Sequence, residues 1–299
     1  MMPTRITLPK RGGRRRRRRA ASRALMSTIG ALCHPWPTTR GRDDASRCCL
    51  AVVVAILFLL CAPAAAVVGG ATVARNTGAG RHIVMIVSTR GNLCAGTALT
   101  RDLVLTAAHC VAPAATYRVL TPDGTPPGLP ILSIAVHPRY NPKDFLGGRV
   151  TADVALLKLE SPLPGNIVPV GLASNYAVKA GDRLVIAGYG VIAVGNDEGA
   201  GTPRQAALVA TGRPGNLQIR LVDPTTRGQR AGLGACTGDS GGPAFTESGG
   251  SLAVVGVISW STGPNGSEGC GGLTGVTPLA LYRKWIIESA KKMGSLGTP

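Results

Sequence analysis

The chain has 299 residues, 44% of them hydrophobic and 4% aromatic, which is ample material for a packed core and excludes a wholly disordered protein. Its formal net charge of +18 is unevenly spread: residues 1–66 carry 13 Lys or Arg against 2 Asp or Glu, and residues 67–299 carry 20 against 13. The basicity expected of a nucleic-acid binder therefore belongs mostly to the first fifth of the chain. No CxxC pair occurs among the 8 cysteines, which argues against a zinc ribbon or a thioredoxin-like redox site.

Arg14 to Arg19 is an unbroken arginine run. Without aromatic neighbours or helical periodicity it reads as a solvated tail, so residues 1–47 are expected to form a basic, disordered extension. Residues 48–74 carry no charge, and within them Leu50 to Leu60 is densely apolar. Arg40, Arg42 and Arg47 precede that stretch and Ala64-Ala65-Ala66 follows it. A positive flank, a short apolar run and small residues at its exit describe a secretory signal segment over 48–66, with cleavage after Ala66. A segment retained instead of cleaved would hold the chain at the cell envelope, although the run is shorter than the roughly 20 residues of a membrane span. Export would place the remainder where disulfides persist.

From residue 67 onward, short apolar runs recur between Gly- and Pro-rich turns. His82–Val87, Leu103–Ala107, Val154–Leu159, Leu184–Ala187 and Leu252–Ile258 read as strands of an all-β sandwich or barrel. Glu160–Tyr176 reads as the connection between two β halves. One helix is expected at the end, over about 278–293, with Thr277 as cap, Pro278 in the first turn, and Leu281 and Trp285 on one face.

Three segments carry chemistry: Leu105-Thr106-Ala107-Ala108-His109-Cys110, Asp153-Val154-Ala155-Leu156, and Cys236-Thr237-Gly238-Asp239-Ser240-Gly241-Gly242-Pro243. Amide hydrolysis needs a nucleophile better than a neutral hydroxyl. A histidine within reach of a serine can take its proton, and a buried carboxylate behind the histidine fixes its tautomer. Glycines beside the serine let backbone N–H groups converge on a developing oxyanion. Taken singly, each residue has an ordinary structural explanation; together, and in this order, they point to a nucleophilic hydrolase.

This constellation resembles the trypsin/chymotrypsin family of serine proteases. The resemblance spans about Val67 to Met293 and also rests on Val67-Val68-Gly69-Gly70, His137-Pro138-Arg139-Tyr140-Asn141, Ala187-Gly188-Tyr189-Gly190 and Val257-Ile258-Ser259-Trp260. It implies two antiparallel six-stranded β-barrels, at about 67–165 and 175–276, followed by the C-terminal helix. It implies Ser240 as nucleophile, His109 as general base and then acid, Asp153 as its orienting carboxylate, and the Gly238 and Ser240 N–H groups as oxyanion hole. Ser259 would support Asp153, and Ser259, Trp260 and Ser261 would pair with the substrate backbone. His137 would be structural. The same resemblance implies the disulfides Cys94–Cys110 and Cys236–Cys270, fewer than most vertebrate members carry and suggestive of a simpler, bacterial-type member.

Family members that cut after basic residues carry an acid at the pocket floor, a position held here by Gly234 and followed by Ala235. With Thr237, Ser261 and Gly275 completing the walls, the pocket is expected to take an uncharged apolar side chain, and Glu268 in the loop before Cys270 could reach its rim. The resemblance further implies that a new α-ammonium on Val67 pairs with Asp239 to order the oxyanion loop. The expected protein is a secreted, monomeric serine endopeptidase with a polypeptide substrate and no cofactor, metal or nucleic acid. A silent binding module on the same fold is the alternative, against which the complete set His109, Asp153 and Ser240 weighs.

Overall fold

The structure, a computed structural model, describes residues 68–73, 77–121, 127–174, 177–195, 197–212, 217–295, 297 and 299. The extension expected at 1–47, the apolar segment at 48–66 and Val67 lie outside the described residues.

Strands β2 (Ile83–Ser88), β3 (Leu93–Ala98), β4 (Leu103–Thr106), β5 (Tyr117–Leu120), β6 (Leu129–Val136) and β7 (Ala155–Leu159) close a first antiparallel barrel in the order β2-β3-β4-β7-β6-β5. Strands β8 (Arg183–Gly188), β9 (Arg204–Ala210), β10 (Ile219–Val222), β11 (Pro243–Ser248), β12 (Ser251–Ser261) and β13 (Thr274–Pro278) form a second, closed where β8 pairs with both β9 and β11. The short strand β1 (Ala71–Thr72) adds to β9, so the first described residues belong to the second barrel. Both six-stranded barrels match the expected architecture. Closure removes the exposed sheet edges that open antiparallel sheets must otherwise protect.

The burial patterns explain the strands. In β9, Arg204, Ala206, Leu208 and Ala210 are buried and the residues between them half-buried, the period of two that a barrel wall requires. β4 and β7 are buried at every position. One apolar cluster fills the first barrel and continues through Tyr189, Phe245, Val254 and Ile286 into the seam with the second, whose own interior holds a separate cluster around Leu208, Leu221 and Ile258. The expected connector is docked along this seam: Leu163, Ile167, Val170 and Leu172 are buried, and Leu172 bridges Val254.

Among the described residues, the α-helices are α1 (Ala108–Val111) and α2 (Pro142–Leu146) within the first barrel and α3 (Arg283–Lys292) after the second. The C-terminal helix begins later than expected. Thr277 and Pro278 are not its cap and first turn; they pair with Val257 and Gly256 as the end of β13, and a 3-10 turn at Leu279–Leu281 intervenes. Leu281 is exposed, so it does not share a packed face with Trp285. The helix is anchored by buried Ile286 and by Tyr282 and Trp285, whose rings meet the edges of His137. His137 is thus a structural contact, as expected.

Lys158 is a charged residue in a wholly buried strand. Its Nζ donates to Asp102 Oδ2 and to Gly294 O at 2.8 Å, and Asp102 Oδ1 accepts from Thr100 Oγ1 at 2.8 Å and Ser295 Oγ at 3.0 Å. This cluster ties the end of α3 to the first barrel. Removing one member of a buried pair leaves an uncompensated charge. Lys158→Met should therefore lower the unfolding free energy by about 3 kcal/mol in urea melts; a loss under 1 kcal/mol would show the pair to be dispensable.

Candidate active site

His109 sits in α1, directly after β4, and the Cys94–Cys110 disulfide ties that turn to β3. Asp153 lies just before β7 and is 1% exposed. Its carboxylate accepts three hydrogen bonds, from His109 N at 2.9 Å, His109 Nδ1 at 2.8 Å and Ser259 Oγ at 2.5 Å. Burial alone would raise this carboxyl. The His109 imidazole beside it and the bonds from His109 and Ser259 outweigh burial and hold it below its ordinary value of 3.8. An ionised Asp153 accepting from Nδ1 assigns the imidazole's free lone pair to Nε2.

Ser240 belongs to the turn that leads into β11 on the second barrel. Its carbonyl accepts from Ala95 N of β3 at 2.7 Å, and Gly241 N donates to Ile258 O at 2.8 Å, so the turn is held by both barrels. Gly241 has φ +84°, and a Cβ there would fall 2.2 Å from Thr106 Oγ1 and 2.3 Å from Ala95 O, which restricts the position to glycine. Cys110 Sγ lies 3.6 Å from Ser240 O and 3.8 Å from His109 Nε2, placing the imidazole beside the Ser240 turn. Among the described residues no hydrogen bond joins Ser240 Oγ to His109. Such bonds are often long in free enzymes and tighten with substrate. The sulfurs of Cys94 and Cys110, though close to His109, are bonded to each other and offer no thiolate to a metal.

Beside Ser240, Thr237 O accepts from Val191 N at 2.9 Å. Because a trans peptide points its C=O and N–H in opposite directions, the Gly238 N–H is turned away from Val191. Gly238 has φ +95°, and a Cβ would lie 3.0 Å from Gly190 Cα, so glycine is needed to hold that peptide. The Gly238 and Ser240 N–H groups have no protein acceptor among the described residues. Asp239 turns inward and accepts from Gly190 N and Cys236 N, both at 2.8 Å. Burial pushes its carboxyl up to about 6, despite those donors and the Arg204 guanidinium nearby. Arg204 is itself buried and donates to Gly199 O at 2.6 Å. Val67, expected to pair with Asp239, lies outside the described residues, but its neighbour Val68 forms a β-bridge with Gly234.

The residues expected to form the pocket lie around that bridge. Ala235 is buried and its N–H donates to Thr274 Oγ1 at 2.9 Å; Gly234 packs against Gly271; and Cys236–Cys270 joins the two walls. Thr237 is exposed at the mouth, and Ser261 Oγ turns to Gly269 O at 3.5 Å. Trp260 lies over Gly275 so closely that a Cβ there would fall 2.0 Å from the indole. Glu268 is exposed on a loop pinned by Asn265 N to Gly228 O at 2.8 Å. Sequence reasoning missed Phe145, whose ring stacks on His109, and Arg204 beside Asp239. No spacing marks either one.

Two closed barrels with a histidine, a buried carboxylate and a serine turn at their seam define a chymotrypsin-like hydrolase scaffold. The Trypsin family profile matches residues 67–286, and the chain belongs to that family of serine proteases. It is 27% identical to human kallikrein-8 over 69% of this chain and 78% of that protein. It is 30% identical to rat transmembrane protease serine 9 over 66% of this chain, and 29% identical to rat vitamin K-dependent protein C over 68%. The matched region spans 20% and 47% of those two longer relatives.

Asp239 sets a pH dependence in the uncleaved chain. An unfolded carboxyl releases its proton near 3.8, whereas folded Asp239 holds it until about 6. The folded state binds the extra proton in between, so this contribution is complete below 3.8 and is lost as pH rises through 6. Relative to Asp239→Asn, the uncleaved protein should lose about 2 kcal/mol more stability between pH 4 and pH 7. Parallel stability curves for the two proteins would show that Asp239 is ionised throughout.

Proposed function

We propose that this protein is a secreted serine endopeptidase that cuts polypeptides through an acyl-enzyme intermediate. Ser240 attacks the scissile carbonyl while His109 Nε2 takes its proton. Asp153 holds the imidazole and stabilises the imidazolium, and the Gly238 and Ser240 N–H groups receive the oxyanion. His109 then returns the proton to the leaving amine, and water repeats the sequence on the acyl group. The observation that carries this reading is the buried Asp153 carboxylate, which accepts from His109 of one barrel and Ser259 of the other.

Selectivity follows from the same residues. Gly234, Ala235, Gly275 and Ser261 offer no carboxylate to a substrate Lys or Arg, and the Trp260 indole occupies space beside Gly275. A pocket with these walls favours small or medium apolar side chains on the acyl side of the cut. Activation follows from Asp239. Cleavage after Ala66 would free the Val67 α-ammonium, and the Val68–Gly234 bridge supports a path that brings it toward Asp239. The basic segment 1–47 and the apolar segment 48–66 would be removed by that cut, releasing a monomeric enzyme.

Ser240→Ala should fold with both disulfides and hydrolyse peptides at least about 10⁴-fold more slowly than the parent. Turnover of the purified variant within tenfold of the parent would remove Ser240 as nucleophile. In a peptide library, apolar residues should be preferred over Arg or Lys immediately before the cut. A strong preference for basic residues would show that the pocket floor lies elsewhere, with Glu268 the first residue to test.

A further inference from the structure

The loop between His137 and Asp153 contains α2, a five-residue helix to which the catalytic reading gives no role. Asn141 Oδ1 accepts from Lys143 N at 2.9 Å and Asp144 N at 3.4 Å, capping the helix, and Pro142 opens it. Arg149 grips Asp144 through Nε at 2.8 Å and Nη2 at 2.5 Å, and Gly148 N donates to Phe145 O at 3.0 Å. Thr151 Oγ1, two residues before Asp153, accepts from Asn141 N at 2.7 Å. The helix is therefore braced at both ends by the segment that delivers Asp153.

This bracing aims one side chain. The Phe145 ring stacks on the His109 imidazole with centroids 4.4 Å apart and an interplanar angle of 13°. Leu146, the next residue, is 81% exposed, whereas Phe145 is half-buried against the histidine. Asp153 holds the imidazole through a single ring hydrogen bond, from Nδ1, which leaves the ring free to tilt about the Nδ1–Oδ2 axis. A parallel aromatic face opposes that tilt. It also presents its negative π face to the imidazolium that forms as Ser240 loses its proton, a contact stronger with the cation than with the neutral ring.

We propose that Phe145 is a positioning residue that holds His109 in the plane from which Nε2 takes and returns the proton. The catalytic part of this inference rests on the role proposed above for His109; the contact itself does not. The test uses the exported protein with Phe145→Leu and Phe145→Tyr. Leucine keeps an apolar, somewhat smaller side chain and loses the π face, whereas tyrosine keeps the ring. With a peptide substrate, Phe145→Leu should lower kcat about tenfold with KM within about twofold, and Phe145→Tyr should restore kcat.

The second readout does not depend on activity. In Ser240→Ala protein, the His109 ring protons should show the upfield shielding of a stacked aromatic, lost with Phe145→Leu and kept with Phe145→Tyr. A raised KM with unchanged kcat would make Phe145 a substrate contact and overturn the proposal. So would an equal loss of kcat in both variants, which marks a structural role, or His109 resonances unmoved by Phe145→Leu. If the parent enzyme shows no turnover but the shielding behaves as stated, the positioning contact stands and the endopeptidase reading falls.

Discussion

A carboxylate taken out of water must be met by enough donors to replace its hydration, and Asp153 meets that demand only where the two barrels touch. His109 reaches it from the first barrel with a backbone and a ring nitrogen, and Ser259 reaches it from the second. Neither barrel alone satisfies the group. The seam is consequently the one place where the imidazole can be both held and left with a free Nε2. Ala95, which donates to Ser240 O, and Tyr189, which donates to Ile83 O at 3.0 Å, also fasten one barrel to the other.

The second buried carboxylate follows the same logic in a different setting. Asp239 has two backbone donors and no side-chain ion pair among the described residues, and burial accordingly raises it where Asp153 is lowered. Its inward turn orients the peptides on both sides, which carry the Asp239 and Ser240 N–H groups. Charge placed on Asp239 therefore bears directly on the turn that carries Ser240.

Much of this was legible in the sequence because the chemistry sits in short contiguous strings. The five apolar runs became β2, β4, β7, β8 and β12. Strands such as β3 and β13 were harder to see, since Gly96 and Gly275 make way for Val104 and Trp260, side chains that only the fold brings near. Thr277 and Pro278 carry a helix-start signature that strand pairing with β12 overrides. Nothing in the sequence marks Lys158 of β7 as buried, because its partner Asp102 lies far away in the chain. Phe145 gave no signal, because a single aromatic in a polar loop reveals its target only once α2 folds back over His109.

The central claim is that Asp153, His109 and Ser240 act as one unit to make the serine hydroxyl nucleophilic. Covalent labelling of the exported, processed protein with a peptidyl phosphonate bearing an apolar side chain tests it most directly. Mass spectrometry of the digested adduct should place one phosphonate on Ser240, and His109→Ala should abolish labelling while the folded structure persists. A label on any other residue, or equal labelling of His109→Ala, would contradict the account.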